Sequence, residues 1–181
     1  MQSQFVEHNK KNGYLKKFSG RLSKQPAHNF RSFSSAMQAI IFIGIQGSGK
    51  TSFYKERFLK THVRISLDLL KTRGKEIRFL QLCLETGQKF VIDNTNPNTA
   101  TRTPYIEAAR RHRFQVVGYY FNTDLHEALA RNSQRAGKEV VSIAGVRATY
   151  KKLQRPRLQE GFDKLFEVTL IGSNFEVQEL V

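Results

Sequence analysis

The chain has 181 residues, 39% of them hydrophobic, one cysteine, and a formal net charge of +15 from 30 basic and 15 acidic side chains. That length suits one domain with a real core. No run approaches the ~20 apolar residues of a membrane span, the lone Cys83 excludes an intrachain disulfide and fits a reducing, cytoplasm-like compartment, and so basic a chain predicts attraction to polyanions.

Residues 1–36 are basic, rich in Ser, Asn and Gln, and without sustained periodicity, so they read as a disordered extension ahead of a domain spanning 37–181. Lys10, Lys11, Lys16, Lys17, Arg21, Lys24 and Arg31 face only Glu7 there. The extension is therefore net +6, and +9 of the +15 remains for the body. A passive tail is the first reading, a nucleic-acid arm the second and a targeting segment the third. The stretch lacks the apolar core of a secretory signal, and Met37 could serve as a start.

Ala39-Ile40-Ile41-Phe42-Ile43 is apolar and rich in β-branched residues, the mark of a buried parallel strand. Gly44-Ile45-Gln46-Gly47-Ser48-Gly49-Lys50-Thr51 follows and fits G-x-x-x-x-G-K-[ST]. In that pattern glycines let backbone N–H groups converge on phosphate, the Lys50 ammonium reaches the β- and γ-phosphates, and the Thr51 hydroxyl holds Mg²⁺. Phe53, Phe58 and Leu59 then recur among charged residues as a helical stripe. A strand before the loop and a helix after it separate a nucleotide cradle from an ordinary glycine-rich turn.

His62 to Ser66 is a short second strand with Asp68 at its end. Glu76 to Thr86 carries Ile77, Leu80, Leu82, Cys83 and Leu84 at helical spacing, and Gly87 is a fitting stop. In that pattern Cys83 is inert packing. Phe90 to Asp93 is a third strand and Asn94 to Pro97 its loop. A helix is predicted from about Thr99 to Arg113, with Tyr105, Ile106 and Ala109 inward and Pro104 in its tolerant first turns. Gln115 to Phe121 is a fourth strand. Thr123 or Asp124 caps a helix toward Gln134. Arg135 to Val141 reads as a mobile segment. Ser142 caps a helix through Lys152, and Lys164 to Ile171 is the last strand. Strands alternating with helices predict a mostly parallel α/β sheet covered on both faces.

Ligands in such sheets sit at the carboxyl ends of the strands. The glycine loop, Asp68 and Asp93 all fall on that edge. Asp93 ends an apolar strand, as the Mg²⁺-supporting carboxylate of P-loop proteins does. Asn94, not a second carboxylate, follows it, which argues against a hydrolytic motor. No N-K-x-D guanine-reading motif is present. Phosphoryl transfer to an acceptor hydroxyl fits best, with Asp68 placed as general base or, alternatively, as a helix N-cap. Arg131 and Arg135, four apart before the mobile segment, suit a lid that brings cations to phosphates. A solvated helix end is the other reading.

These residues resemble the P-loop 5′-hydroxyl polynucleotide kinases, the phage end-healing kinase and the kinase domain of the animal repair enzyme among them. Gly44 to Thr51 matches the phosphate loop, with Gly44, Gln46, Gly47, Ser48, Gly49, Lys50 and Thr51 at the donor. Ser66-Leu67-Asp68 looks like the segment whose Asp activates the 5′-hydroxyl. Asp93-Asn94-Thr95-Asn96-Pro97, Arg102 and Tyr105 are similar to the animal enzyme, and Arg131 to Arg135, with Lys138 and Val140, to the phage lid. The chain departs from the family at Leu67, often Arg, and at Lys71, where relatives carry an Arg for substrate phosphate. Arg64 or Arg73 could replace that fork.

The resemblance implies a five-stranded sheet in order 2-3-1-4-5, ATP and Mg²⁺ as cofactors, and RNA or DNA 5′-hydroxyl ends as partners, with no membrane. It implies Asp68 as base, Lys50 and Arg135 on the transferring phosphoryl, Arg131 at the nucleotide, Thr51 and Asp93 at the metal, and Lys71 and Arg102 at the acceptor. A second catalytic domain is not expected. The rivals are a kinase of a small metabolite or nucleotide-sugar and a non-catalytic, ATP-dependent nucleic-acid binder.

Overall fold

The computed structural model describes residues 37–180 except 136, 138 and 139; the basic extension and Lys138 of the lid lie outside the described residues. Six strands, β1 (Gln38–Ile43), β2 (Val63–Ile65), β3 (Phe90–Ile92), β4 (Gln115–Phe121), β5 (Lys164–Ile171) and β6 (Asn174–Glu179), form one sheet in the order β2-β3-β1-β4-β5-β6. The first five run parallel in the expected 2-3-1-4-5 order. The sixth, antiparallel to β5, corrects the five-stranded expectation. Gly172, at φ 62°, turns the hairpin. Strand β6 is mostly exposed and carries two glutamates among its six residues, which suits an edge and masks a strand in sequence.

The β1, β3 and β4 strands are the buried centre. On one face Ile41, Ile43, Ile92 and Val116 meet helices α3 (Arg73–Thr86) and α4 (Thr99–Arg111). On the other, Ile40, Phe42 and Phe121 meet Phe53 of α1 (Lys50–Arg57). The Phe53 ring stands 5.4 Å from that of Phe121 and 5.1 Å from that of Phe175 on β6, both edge-on. A small third cluster, Ile45, Ala128 and Val146, seats α5 (Leu125–Ser133) and α6 (Ile143–Lys152) at the carboxyl edge. Asp124 and Ser142 cap these two helices, each accepting from a first-turn amide.

Two apolar stripes are narrower than their sequences suggest. Helix α1 stops at Arg57, and Leu59 beyond it is exposed. On α3 the buried residues are Glu76, Leu80, Cys83 and Leu84, the i, i+4, i+7, i+8 face of one helix. Ile77 and Leu82 lie off that face and are exposed, 62% and 53%, while a carboxylate takes the stripe's first position. Cys83 is buried, and burial pushes its thiol up, away from the reactive thiolate.

His62, 8% exposed, joins Thr61 Oγ1 (2.8 Å) and Gln38 Oε1 (3.1 Å) through its ring nitrogens. Burial, with Lys89 adding to it, pulls its pKa down to about 4 from 6.5. The unfolded chain therefore takes a proton that the folded chain refuses, so stability falls as pH drops from 6.5 toward 4. The slope should be at most about 1.4 kcal/mol per pH unit from this group. A His62→Gln variant, melted across that range, should have a flatter profile than the wild type; an equal slope would assign the acid sensitivity elsewhere.

Candidate active site

The glycine loop turns in backbone conformations that side chains resist. Gly47 has φ 79°, and a Cβ there would sit 2.3 Å from the Ala128 carbonyl oxygen; Gly49, at φ 90°, is the N-cap of α1. No side chain caps that helix, so its first N–H groups stay available to an anion. The third-strand loop braces the cradle from beside it. The Gly44 amide donates to the Thr95 carbonyl at 2.9 Å, and Asn96 Nδ2 donates to the Phe42 carbonyl at 2.7 Å. Two residues of the Asp93 to Pro97 motif are thus spent on holding the loop's entry.

Lys50 folds back into the loop. Its Nζ donates to the Gly44 carbonyl (2.9 Å), the Ile45 carbonyl (2.6 Å) and Ser48 Oγ (3.2 Å). Burial pushes its pKa down to about 8, helped by Arg135, while Asp93 and Asp68 act the other way. A cation held this way is short of anionic partners, which phosphate would supply.

Thr51 Oγ1 donates to Asp93 Oδ2 at 3.2 Å, and Asp93 is 5% exposed. Arg64 sits on both: Nε and Nη2 each reach Asp93 Oδ2 at 2.7 Å, and Nη2 donates to Thr51 Oγ1 at 3.0 Å. Its guanidinium carbon also lies 5.9 Å from the Tyr54 ring centre. The pair of hard oxygens already attracts a cation, so Thr51 and Asp93 fit Mg²⁺, with Arg64 as its stand-in. Among the described residues no cluster of three or more His, Cys, Asp or Glu offers a metal an all-protein cage. In this arrangement the Arg64 guanidinium is held by Thr51 and Asp93.

Asp68 stands in the first turn of α2 (Leu67–Leu70), exposed to the cleft. The N-cap is Ser66, whose Oγ accepts from the Asp68 amide at 3.2 Å; the N-cap reading of Asp68 is thus replaced. Lys50, Thr51, Asp68, Asp93, Asn94 and Arg135 line one cleft together with Gln46 to Gly49. Residues that follow β1, β2 and β3 converge there, as the parallel order predicts, and Arg135 joins them from the end of α5.

Other expectations change. Arg102 is fully buried, its fork on both Glu160 oxygens at 2.7 Å and Nη1 on the Asn96 carbonyl at 3.1 Å. It ties α4 to the 3₁₀ turn Leu158–Glu160 and cannot touch an acceptor strand. Arg131 donates to the Gly47 carbonyl at 2.7 Å and pairs with Glu127 at 3.4 Å, clasping the loop's backbone. Lys71 is exposed with φ 67°, beyond the cleft lining. Arg73 bonds Glu76 and Tyr105. Glu76 carries no sequence signal of its own, because the residues around it repeat at core spacing.

The family model described as "AAA domain" matches residues 40–159. The bifunctional polynucleotide phosphatase/kinase of Schizosaccharomyces pombe is 26% identical over 171 residues, covering 91% of this chain and 41% of that protein. A putative bifunctional polynucleotide phosphatase/kinase of Acanthamoeba polyphaga mimivirus is 29% identical over 150 residues, covering 78% and 35%. The chain spans less than half the length of these curated relatives. Among solved structures, Chaetomium thermophilum Kti12 with ADP-AlF3 superposes with TM-score 0.55 at 16% identity, over 72% of this chain and 88% of that one. A gluconokinase from Sinorhizobium meliloti gives TM-score 0.51 at 17% identity, over 73% and 82%. These likenesses are of fold.

Proposed function

This chain belongs to the AAA-domain family, and we propose that it is a kinase that moves the γ-phosphoryl group of ATP to the 5′-hydroxyl of RNA or DNA. The observation that carries the reading is the single cleft that joins the glycine loop and Lys50 to the carboxylate of Asp68. The names of the curated relatives and a charge of +15 support a polynucleotide as the acceptor.

Loop amides and Lys50 bind the donor phosphates. Lys50 exchanges carbonyl partners for phosphate oxygens, where its charge is favoured. Thr51 and Asp93 would hold Mg²⁺, which would supply neutralisation of the negative charge on the donor phosphates. Asp68 accepts the proton of the 5′-hydroxyl as its oxygen bonds to the γ-phosphorus. The bond from that phosphorus to the bridging oxygen breaks, and ADP departs with the electron pair. Arg135, from the cleft wall, meets negative charge on the moving phosphoryl group. Arg131 acts on the donor site through the Gly47 carbonyl.

The test is transfer of label from γ-labelled ATP to a 5′-hydroxyl oligonucleotide, run beside small hydroxylated metabolites. Label on the oligonucleotide is expected. Label only on a small acceptor, or ATP-dependent binding without transfer, would overturn the reading. Oligonucleotide affinity should also fall linearly in log–log form as salt rises, since phosphate contacts release counterions. A flat salt profile would remove the polynucleotide acceptor.

A further inference from the structure

Glu76 is a carboxylate 1% exposed on the apolar face of α3. Burying an ionised carboxylate is costly unless every oxygen is partnered, and here both are. Oε1 accepts from Asn94 Nδ2 at 2.5 Å and from the Tyr105 hydroxyl at 3.0 Å; Oε2 accepts from Arg73 Nη1 at 2.7 Å. Neither Glu76, Tyr105 nor Arg73 lines the cleft; Asn94 does.

Because a carboxylate only accepts, Glu76 dictates which way the Asn94 carboxamide faces. Its NH₂ points to Glu76, so its carbonyl points the other way and accepts from the Leu67 amide at 2.9 Å. Leu67 is the first residue of α2, and Asp68 is the next. That helix has four residues and ends at Lys71 in a left-handed conformation. A single turn is too short to hold itself in place, so its start is fixed from outside, by Ser66 on the Asp68 amide and by Asn94 on the Leu67 amide.

We propose that Glu76 is a positioning residue for Asp68: through Asn94 it fixes the turn that aims the Asp68 carboxylate at the acceptor hydroxyl. The proposal rests on the kinase reading above. It assigns the Asn94 position a task other than the water-activating carboxylate of a motor, and it explains a buried acid on a core stripe. A nucleophile and base out of register by about 1 Å lose roughly 10²-fold in rate. Loss of the Glu76–Asn94 link should lower kcat by about 10- to 100-fold, with ATP affinity unchanged.

The experiment is a double-mutant cycle on single-turnover phosphorylation of a 5′-hydroxyl oligonucleotide, using Glu76→Gln, Asn94→Ala, Asp68→Asn and the two doubles with Asp68→Asn. Binding of ATP to each purified variant checks that it is folded. The expected result is a rate loss for Glu76→Gln and for Asn94→Ala in the wild-type background, and no further loss in the Asp68→Asn background, because the group they position is gone. A loss of the same factor in both backgrounds, or a loss matched by weaker ATP binding, would overturn the proposal. If Glu76→Gln does not fold, the Asn94→Ala arm decides alone, on the same outcomes. If Asp68→Asn by itself keeps wild-type turnover, it is the assignment of the base that has failed, and the positioning proposal falls with it.

Discussion

An Asp68→Asn protein should bind ATP as the wild type does and phosphorylate 5′-hydroxyl ends about 10²–10⁴-fold more slowly, the usual cost of losing a general base. The substitution is close to isosteric and takes away the carboxylate charge and, with it, the ability to accept a proton. Its structural cost is small. Ser66, not Asp68, caps the turn, the amide of residue 68 keeps its bond to Ser66 Oγ, and the Asp68 side chain is exposed in the cleft. The melting temperature should therefore stay within a degree or two of the wild type, as for most surface changes away from caps and networks. Turnover, ATP binding and melting measured on one preparation settle the matter. Near wild-type phosphorylation would remove Asp68 from the mechanism and leave the fold untouched.

Lys50→Met should cut phosphoryl transfer by at least about 10²–10³-fold, the range seen when one preorganised electrostatic donor is lost. Methionine keeps the aliphatic stem and removes the ammonium. The stability effect should run the other way. In the nucleotide-free protein the Lys50 charge is held among carbonyls with its pKa depressed to about 8, so the folded state disfavours that charge relative to water. Removing it should leave the melting temperature level or higher, with activity lost: the strain sits in the site for the sake of the ligand. A variant that melts much lower would show the three bonds from Nζ to be structural, and a variant that still turns over would remove the P-loop assignment.

Much of this was readable from residue order because the signals are local. A glycine pattern between an apolar run and a helical stripe points to a phosphate cradle over an ordinary turn, and cap chemistry announces one helix at Thr123 or Asp124 and another at Ser142. The alternation of strand and helix then brings Asp68, Asp93 and the loop to one edge without any contact being known. What stayed hidden depends on partners far along the chain. Arg102 looks like a free cation until Glu160, far downstream, is seen to occupy its fork. Arg64 is one of many arginines until Asp93 claims it. Glu76 hides among Ile77, Leu80 and Leu82 because periodicity cannot say which member of an amphipathic set faces in. Strand β6 was legible in principle. Phe175 and Val177 alternate with polar residues after a Gly-Ser turn, but its charges masked it.

The Phe175 contact bears on how the molecule comes together. Its ring packs edge-on against Phe53, and a Cβ on Gly49 would lie 3.1 Å from it, so β6 buttresses the glycine loop from behind, outside the cleft. The loop belongs to the early part of the described chain and its buttress to the late part. Between them lies the whole run of parallel crossovers, connections that are slow to close because loop entropy is lost before long-range contacts repay it. A chain released from denaturant should thus form its central strands well before it can grip nucleotide. Recovery of ATP binding should trail recovery of far-ultraviolet ellipticity, and a nick in the Gly172–Ser173 turn should weaken binding at a site that no residue of the hairpin lines.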